Sequence, residues 1–247
     1  EFAVFADDWN LEDRLSPVGL RYDLPMSSAK CAVTPEFTRK DQENALIRRN
    51  EYFYDQFHPT NIGHVIMAGG IGKILEKAAA SLSSGAELEI KADPIGPVSP
   101  AIGCDFDDVF LIDRNTIPSD IKVDEGDFTG TDKVLQAVER DFDLTLTPQF
   151  TDNYMHTSGT RPFTIELDCK ALFLIFKDGS SPKMGIADVF DNGALKISCD
   201  PHKVGWVHCH PMIVFNDKET GHHKVGIRMH DGDEEKEFTI LGFGVVR

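Results

Sequence analysis

Long apolar runs are missing from this sequence. None approaches the roughly 18–20 residues that a membrane-spanning helix needs. The longest, Ala171 to Phe176, has the length of a strand, so no membrane partner is expected. Basic charge is scarce as well: 25 Lys and Arg stand against 41 Asp and Glu, a formal net charge of −16. Nucleic acid needs basic phosphate contacts, and an anionic lipid surface needs the same sign of charge. Neither is expected as a partner, whereas a neutral partner such as a sugar is compatible with this balance.

A disulfide framework is also lacking. The five cysteines, Cys31, Cys104, Cys169, Cys199 and Cys209, are odd in number and contain no CxxC pair. They read as reduced thiols of a cytoplasmic protein. There is no initiator Met and no charged-then-apolar leader with a cleavage site. The sequence opens on Glu1-Phe-Ala-Val-Phe5, which reads like the end of a strand and suggests a truncated chain. No internal repeat and no low-complexity tract is present.

What remains has the composition of a globular protein, 41% hydrophobic and 27% charged, long enough to bury a core. Its texture changes along the chain. Residues 1–88 read as mixed α/β, with strand candidates at Phe2–Phe5 and Tyr22–Ser27. The strongest helical pattern runs from Ile62 to about Leu82. Ile62, Val65, Ile66, Ile71, Ile74, Leu75 and Ala78 recur at helical spacing, and Thr60 or Asn61 can cap the start. Residues 89–104, centred on Asp93-Pro-Ile-Gly-Pro-Val-Ser-Pro100, read as a Pro/Gly linker.

Residues 105–247 read as β. Strand candidates are Val109–Ile112, Phe163–Leu167, Ala171–Phe176, Gly185–Phe190, Leu195–Ser198, Gly205–Cys209, Met212–Phe215, Lys224–Met229 and Phe238–Val245. Turn chemistry falls at Asp178-Gly179, Asp191-Asn-Gly193, Asp217-Lys-Glu-Thr-Gly221 and Asp231-Gly232. This spacing indicates a β-sandwich or jelly roll, with one helical interruption at Thr131–Phe142. The fold class is therefore an α/β fragment followed by an all-β sandwich.

The stretch Tyr54-Asp-Gln-Phe-His-Pro-Thr-Asn-Ile-Gly-His64 is the richest in chemistry. His58 precedes a proline, which keeps its backbone out of the α region and on a loop before the helix. Asp55, three residues earlier, can reach one imidazole nitrogen and leave the other to take a proton from a hydroxyl. Gly63 removes a side chain from the first helical turn, where that loop must pack. The stretch resembles the last block of the SGNH/GDSL hydrolases, D-x-x-H-P-(N/T)-x-x-G-H. The upstream residues Asp8–Leu15 and Tyr22–Ser27 resemble the segment that precedes this block in bacterial members.

The resemblance covers roughly residues 1–85 and implies the C-terminal part of a flavodoxin-like SGNH domain. It implies that Asp55 orients His58, that His58 is the general base of a serine esterase, and that the substrate is an acylated carbohydrate. His64, the second histidine of the block, is read as structural. The family's G-D-S, Gly and G-x-N-D blocks do not occur before Asp55. The chain by itself is therefore expected to be inactive, and residues 1–88 to be loosely packed or dimeric, exposing Val4, Phe5, Leu24 and the helix face. Asp178-Gly-Ser-Ser181 reads as a hairpin turn.

Other clusters also bear on binding. His208-Cys-His210 places two histidines on one face of a strand, with Cys209 on the other. With His222, His223 and His230 they invite zinc, but the spacing fits no standard signature, so no metal or other cofactor is expected. The acidic runs Asp105–Asp108, Asp124–Asp127 and Asp231–Glu235 could hold calcium, but none fits the EF-hand loop, and they read as solvated turns. Trp206, Tyr154 and Phe190 are candidates for stacking on a sugar ring. A β-sandwich module that binds carbohydrate or protein without catalysis is the alternative function, and a purely bracing role for the sandwich is a third.

Overall fold

The computed structural model describes residues 3–7, 9–84, 98–101, 103–135 and 150–247. It divides into two compact units, Glu1–Gly103 and Cys104–Arg247.

The first unit is helical. Its elements are α1 (Glu12–Arg21), α2 (Ala29–Thr38), the single turn α3 (Arg49–Tyr52) and α4 (Asn61–Ser83). The Ser28 hydroxyl caps α2 by accepting from the Cys31 amide at 3.1 Å. The Thr60 hydroxyl caps α4 by accepting from the Gly63 amide at 3.3 Å, the position that residue type favours. Val4, Ala29, Val33, Phe37, Ile47, Tyr52 and Phe53 form a small core, with Ile66 and Met67 of α4 against it.

Two expectations are corrected here. Val4 is buried in that core rather than exposed. The strand expected at Tyr22–Ser27 is instead the exit from α1 followed by a turn, with Asp23 at φ 51°. Leu24 and the α4 residues Val65, Ile71 and Leu75 are exposed, as expected. Phe2 and residues 85–97, which include most of the expected linker, lie outside the described residues.

The second unit is β-rich and almost wholly antiparallel. Its strands are β1 (Phe110–Ile112), β2 (Lys122–Asp124), β3 (Tyr154–His156), β4 (Phe163–Asp178), β5 (Ala187–Asp191), β6 (Ala194–Cys199), β7 (His208–Met229) and β8 (Phe238–Val246). The order is β1-β8-β4-β7-β5-β6, with β2 added to β4 and β3 to β8. The strands expected at 163–167 and 171–176 are one strand, and those at 212–215 and 224–229 merge into β7, which takes only residues 208 and 209 of the strand expected at 205–209. Residues 131–135 of the expected helix are not helical, and 136–149 lie outside the described residues.

The merging has a sequence cause. Phe163, Ile165, Leu167 and Cys169 point inward on odd numbers, and Leu172, Leu174 and Phe176 on even numbers. An extra residue at Lys170 resets the phase of the pleat, which is what a β-bulge does. On β7 the pairing jumps from Asn216 to Gly221 across this point, so residues 217–220 stand against Lys170 alone. The turn expected at Asp217–Gly221 is therefore an excursion inside a strand.

The bulge also lets the sheet fold over. Phe243 pairs with Leu174, which is ~36 Å from Phe163 along a straight strand at ~3.3 Å per residue. Yet the Phe163 and Phe243 rings stack with centroids 5.7 Å apart. The two halves of β4 thus face each other across one core, as a sandwich requires. The Asp191-Asn-Gly193 turn joins β5 to β6 with Asn192 at φ 49° and Gly193 at φ 82°. Two successive positive φ values are what a two-residue hairpin loop needs.

Candidate functional site

The loop between α3 and α4 is shaped by backbone bonds before any side chain enters. Phe53 and Pro59 form an antiparallel bridge. The Tyr54 amide donates to the His58 carbonyl at 3.1 Å, and the Thr60 amide to the Tyr52 carbonyl at 2.7 Å. The Thr60 hydroxyl donates to the Glu51 carbonyl at 2.6 Å. Pro59, which lacks an amide donor and fixes its own φ, sits at the closure of this narrow loop.

Gly63 lets α4 start against the loop. A Cβ there would lie 2.7 Å from both the Pro59 Cβ and the Tyr52 carbonyl oxygen. It is the one buried residue of α4. The N-terminal segment closes the other side, with the Ala6 amide donating to the Gln56 carbonyl at 3.0 Å and Arg49 donating to the Ala6 carbonyl. Phe5 packs edge-on to Phe57 at 5.9 Å.

Inside this loop Asp55 and His58 meet. Asp55 Oδ1 accepts from the amides of Phe57 and His58, each at 2.7 Å. Its Oδ2 lies 2.7 Å and its Oδ1 3.0 Å from His58 Nδ1. The Phe57 amide, then the His58 ring and the His58 amide, hold the Asp55 carboxyl down at about 2. Asp55 is therefore a carboxylate at neutral pH and can only accept. Nδ1 must carry the proton of neutral His58, and Nε2 presents its lone pair on the opposite edge of the ring. The His58 side chain is 64% exposed, with the Tyr54 ring stacked at 5.8 Å. This arrangement can abstract a proton at Nε2 while stabilising the imidazolium that results. His64 is exposed on α4.

In the second unit the expected clusters separate. His222 pairs with Asp168 at 2.8 Å, His223 with Asp191 at 3.0 Å and His230 with Asp188 at 2.8 Å. His208 and His210 instead face Asp178, at the end of β4. The acidic runs serve turns and ion pairs. Asp127 accepts from the Arg161 amide at 2.7 Å, Asp233 from the Ile186 amide at 2.8 Å, and Lys170 lies 3.6 Å from Asp105. Asp178-Gly179 does end a strand, but the Asp178 side chain is fully buried.

Of the aromatic candidates, Tyr154 is only 2% exposed and packs on Phe163, so it offers no ring to a sugar. Trp206 is 55% exposed. Phe190 lines an open groove of about 690 Å³ with Pro162, Thr164, Lys224 and Arg228, and Arg228 lies over its ring at 5.1 Å. Sequence reasoning missed that Asp178 joins His208 and His210. It also missed Asp132, whose buried carboxylate accepts from Lys177 at 2.6 Å and from Thr239 at 2.9 Å.

No protein-family model matches the chain, and no curated protein matches it. Among solved structures, a two-domain esterase (CEX) described as active on acetylated mannans aligns over 99% of this chain at 16% identity, with a TM-score of 0.70. Its crystal grown with mannopentaose aligns over the same share at 16% identity, with a TM-score of 0.66. This chain spans 62% and 61% of the length of those chains. At that identity the likeness establishes a shared fold and nothing further.

Proposed function

We propose that this chain is part of an SGNH/GDSL-type serine esterase that removes short acyl groups, acetyl in the first place, from carbohydrate. The observation that carries this reading is the Asp55–His58 pair, with Nδ1 held 2.7 Å from the carboxylate and Nε2 on the free edge of an exposed ring. Asp55 orients His58. His58 Nε2 takes the proton of a serine hydroxyl as that oxygen attacks the ester carbonyl. The same nitrogen then returns the proton to the departing sugar oxygen, leaving an acyl-serine that water cleaves by the reverse sequence. The esterase with the same fold acts on acetylated mannans, which makes acetylated mannan the first substrate to try.

Residues 1–54 contain no G-D-S block, so the serine is proposed to come from outside this chain. The 247-residue chain alone is expected to hydrolyse 4-nitrophenyl acetate no faster than its His58→Ala variant. Turnover that disappears with His58 would place the nucleophile within these residues. In a protein extended upstream through a G-D-S block, His58→Ala should lower acetate release from acetylated mannan by about 10²–10⁴-fold. Unchanged release in that variant would remove His58 from the mechanism and sink the reading.

A second reading, a non-catalytic binding module, is favoured by the groove along Phe190, Pro162 and Lys224. Retardation of the chain in a gel containing mannan or xylan, abolished by Phe190→Ala, is its expected signature. Equal mobility with and without glycan would remove it.

A further inference from the structure

We infer that Asp178, His208 and His210 form a binding site for one divalent cation of the zinc class, at the far end of the β4–β7 pair. Asp178 is the last residue of β4 and stands directly opposite His208. His208 and His210 are two apart on β7 and so share a face. Each of the three offers one ligand atom, and these atoms all lie within 4.8 Å of one another.

The details favour a cation over a plain hydrogen-bonded triad. Asp178 Oδ1 accepts from the Gly179 amide at 2.8 Å, which leaves Oδ2 for the histidines. That oxygen lies 2.7 Å from His210 Nδ1 and 3.9 Å from His208 Nδ1. Donors at tetrahedral positions 2.0–2.1 Å from zinc sit ~3.3 Å apart, and the two separations straddle that value. Without a cation, one N–H of His210 satisfies the carboxylate, and among the described residues His208 Nδ1 is buried with no hydrogen-bond partner. Such an orphan costs free energy. A cation between the three atoms would engage all of them, replacing the His210 proton and giving the orphan lone pair a partner.

The donor set selects the ion. Two imidazoles and one carboxylate suit zinc and its neighbours, whereas calcium takes six to eight oxygens and magnesium an oxygen octahedron. Packing already fixes one of the rings, since His210 stacks on Phe176 with centroids 5.0 Å apart and planes 12° apart. The side chains of His208 and His210 are 28% and 22% exposed, so a fourth position is open to water or to a ligand hydroxyl. The exposed Trp206 ring lies 6.3 Å from that of His208, beside this opening.

The test uses the whole chain, stripped with a chelator and titrated with Zn²⁺ by calorimetry and with Co²⁺ by visible absorption. One equivalent is expected to bind with a micromolar or tighter Kd, and Co²⁺ to give the intense bands of a four-coordinate site. His208→Gln and His210→Gln should each weaken binding about tenfold or more, whereas His222→Gln should leave it unchanged. Because variants can fail to fold, imidazole NMR of the unaltered chain gives a second readout. Zn²⁺ should shift the His208 and His210 rings before the other histidines. Binding no tighter than in a His208→Gln/His210→Gln double variant would overturn the assignment. So would equal weakening by His222→Gln, or simultaneous shifts of all histidine rings.

Discussion

Asp55 takes hydrogen bonds from two backbone amides and one imidazole, all within its own four-residue loop. Its folded pKa is lowered to about 2, against about 3.9 for a free aspartate. The sign follows from linkage: a depressed folded pKa contributes stability that is present above about 3.9 and is lost as the pH falls toward 2. A carboxyl ¹³C titration of Asp55 should show a midpoint near 2. A midpoint at the free value would mean that the loop does not hold in solution. Asp132 illustrates the buried case. Lys177 and Asp132 have side chains only 11% and 5% exposed, so removing one leaves the other charge buried without its partner. Asp132→Ala is expected to destabilise the second unit by about 3–5 kcal/mol, read from its urea midpoint. A loss below about 1 kcal/mol, the worth of an exposed pair, would show that water reaches Lys177.

Two elements set the positions of the reactive groups. Helix α4 begins where Thr60 caps it and Gly63 lets it touch the loop, so the cap and the His58 backbone are one structure. Gly63→Ala would push a methyl against the Tyr52 carbonyl and Pro59. Overpacking of this kind costs about 1–3 kcal/mol, and the His58 Nδ1 proton resonance should shift with it. A wild-type spectrum and midpoint would show that α4 does not rest on the loop as described. This helix was legible because its apolar period, its cap and its glycine all lie within one segment. The length of β4 was less so. Its inward residues change from odd to even numbers at Lys170, and in a sequence that change of phase looks like a break between two strands. The Asp217–Gly221 excursion misleads for the same reason, since turn-forming residues also suit a bulge.

At the scale of the molecule, the two units differ in how much apolar surface they hide. Strand β8 is buried along its whole length, Phe238–Val246. Helix α4 leaves Val65, Ile71 and Leu75 in the open, with apolar residues all along a helix that buries little. Apolar side chains left in water on one helix are places where a hydrophobic dye can bind. The chain is expected to enhance the fluorescence of 8-anilinonaphthalene-1-sulfonate, and Leu75→Glu with Val65→Gln to reduce that signal. Unfolding free energy should stay within about 0.5 kcal/mol, because neither side chain is packed. Loss of stability in these variants would show that α4 is covered in solution.

The sequence by itself determined what depends on near neighbours. The Asp55–His58 contact, the Thr60 cap, the Asn192-Gly193 turn and the alternation of the strands are all set within a few residues. Backbone sterics and local hydrogen bonds decide such features wherever the segment lies. The tertiary structure decided what depends on register between distant strands. It joined Asp178 to His210 across 32 residues and Asp132 to Thr239 across 107. It sent His222, His223 and His230 to separate aspartates, and it closed Tyr154 into the core. A strand's pattern tells which residues face inward but not which residue of another strand stands opposite. That pairing is fixed by how bulges and turns add up over the whole sandwich.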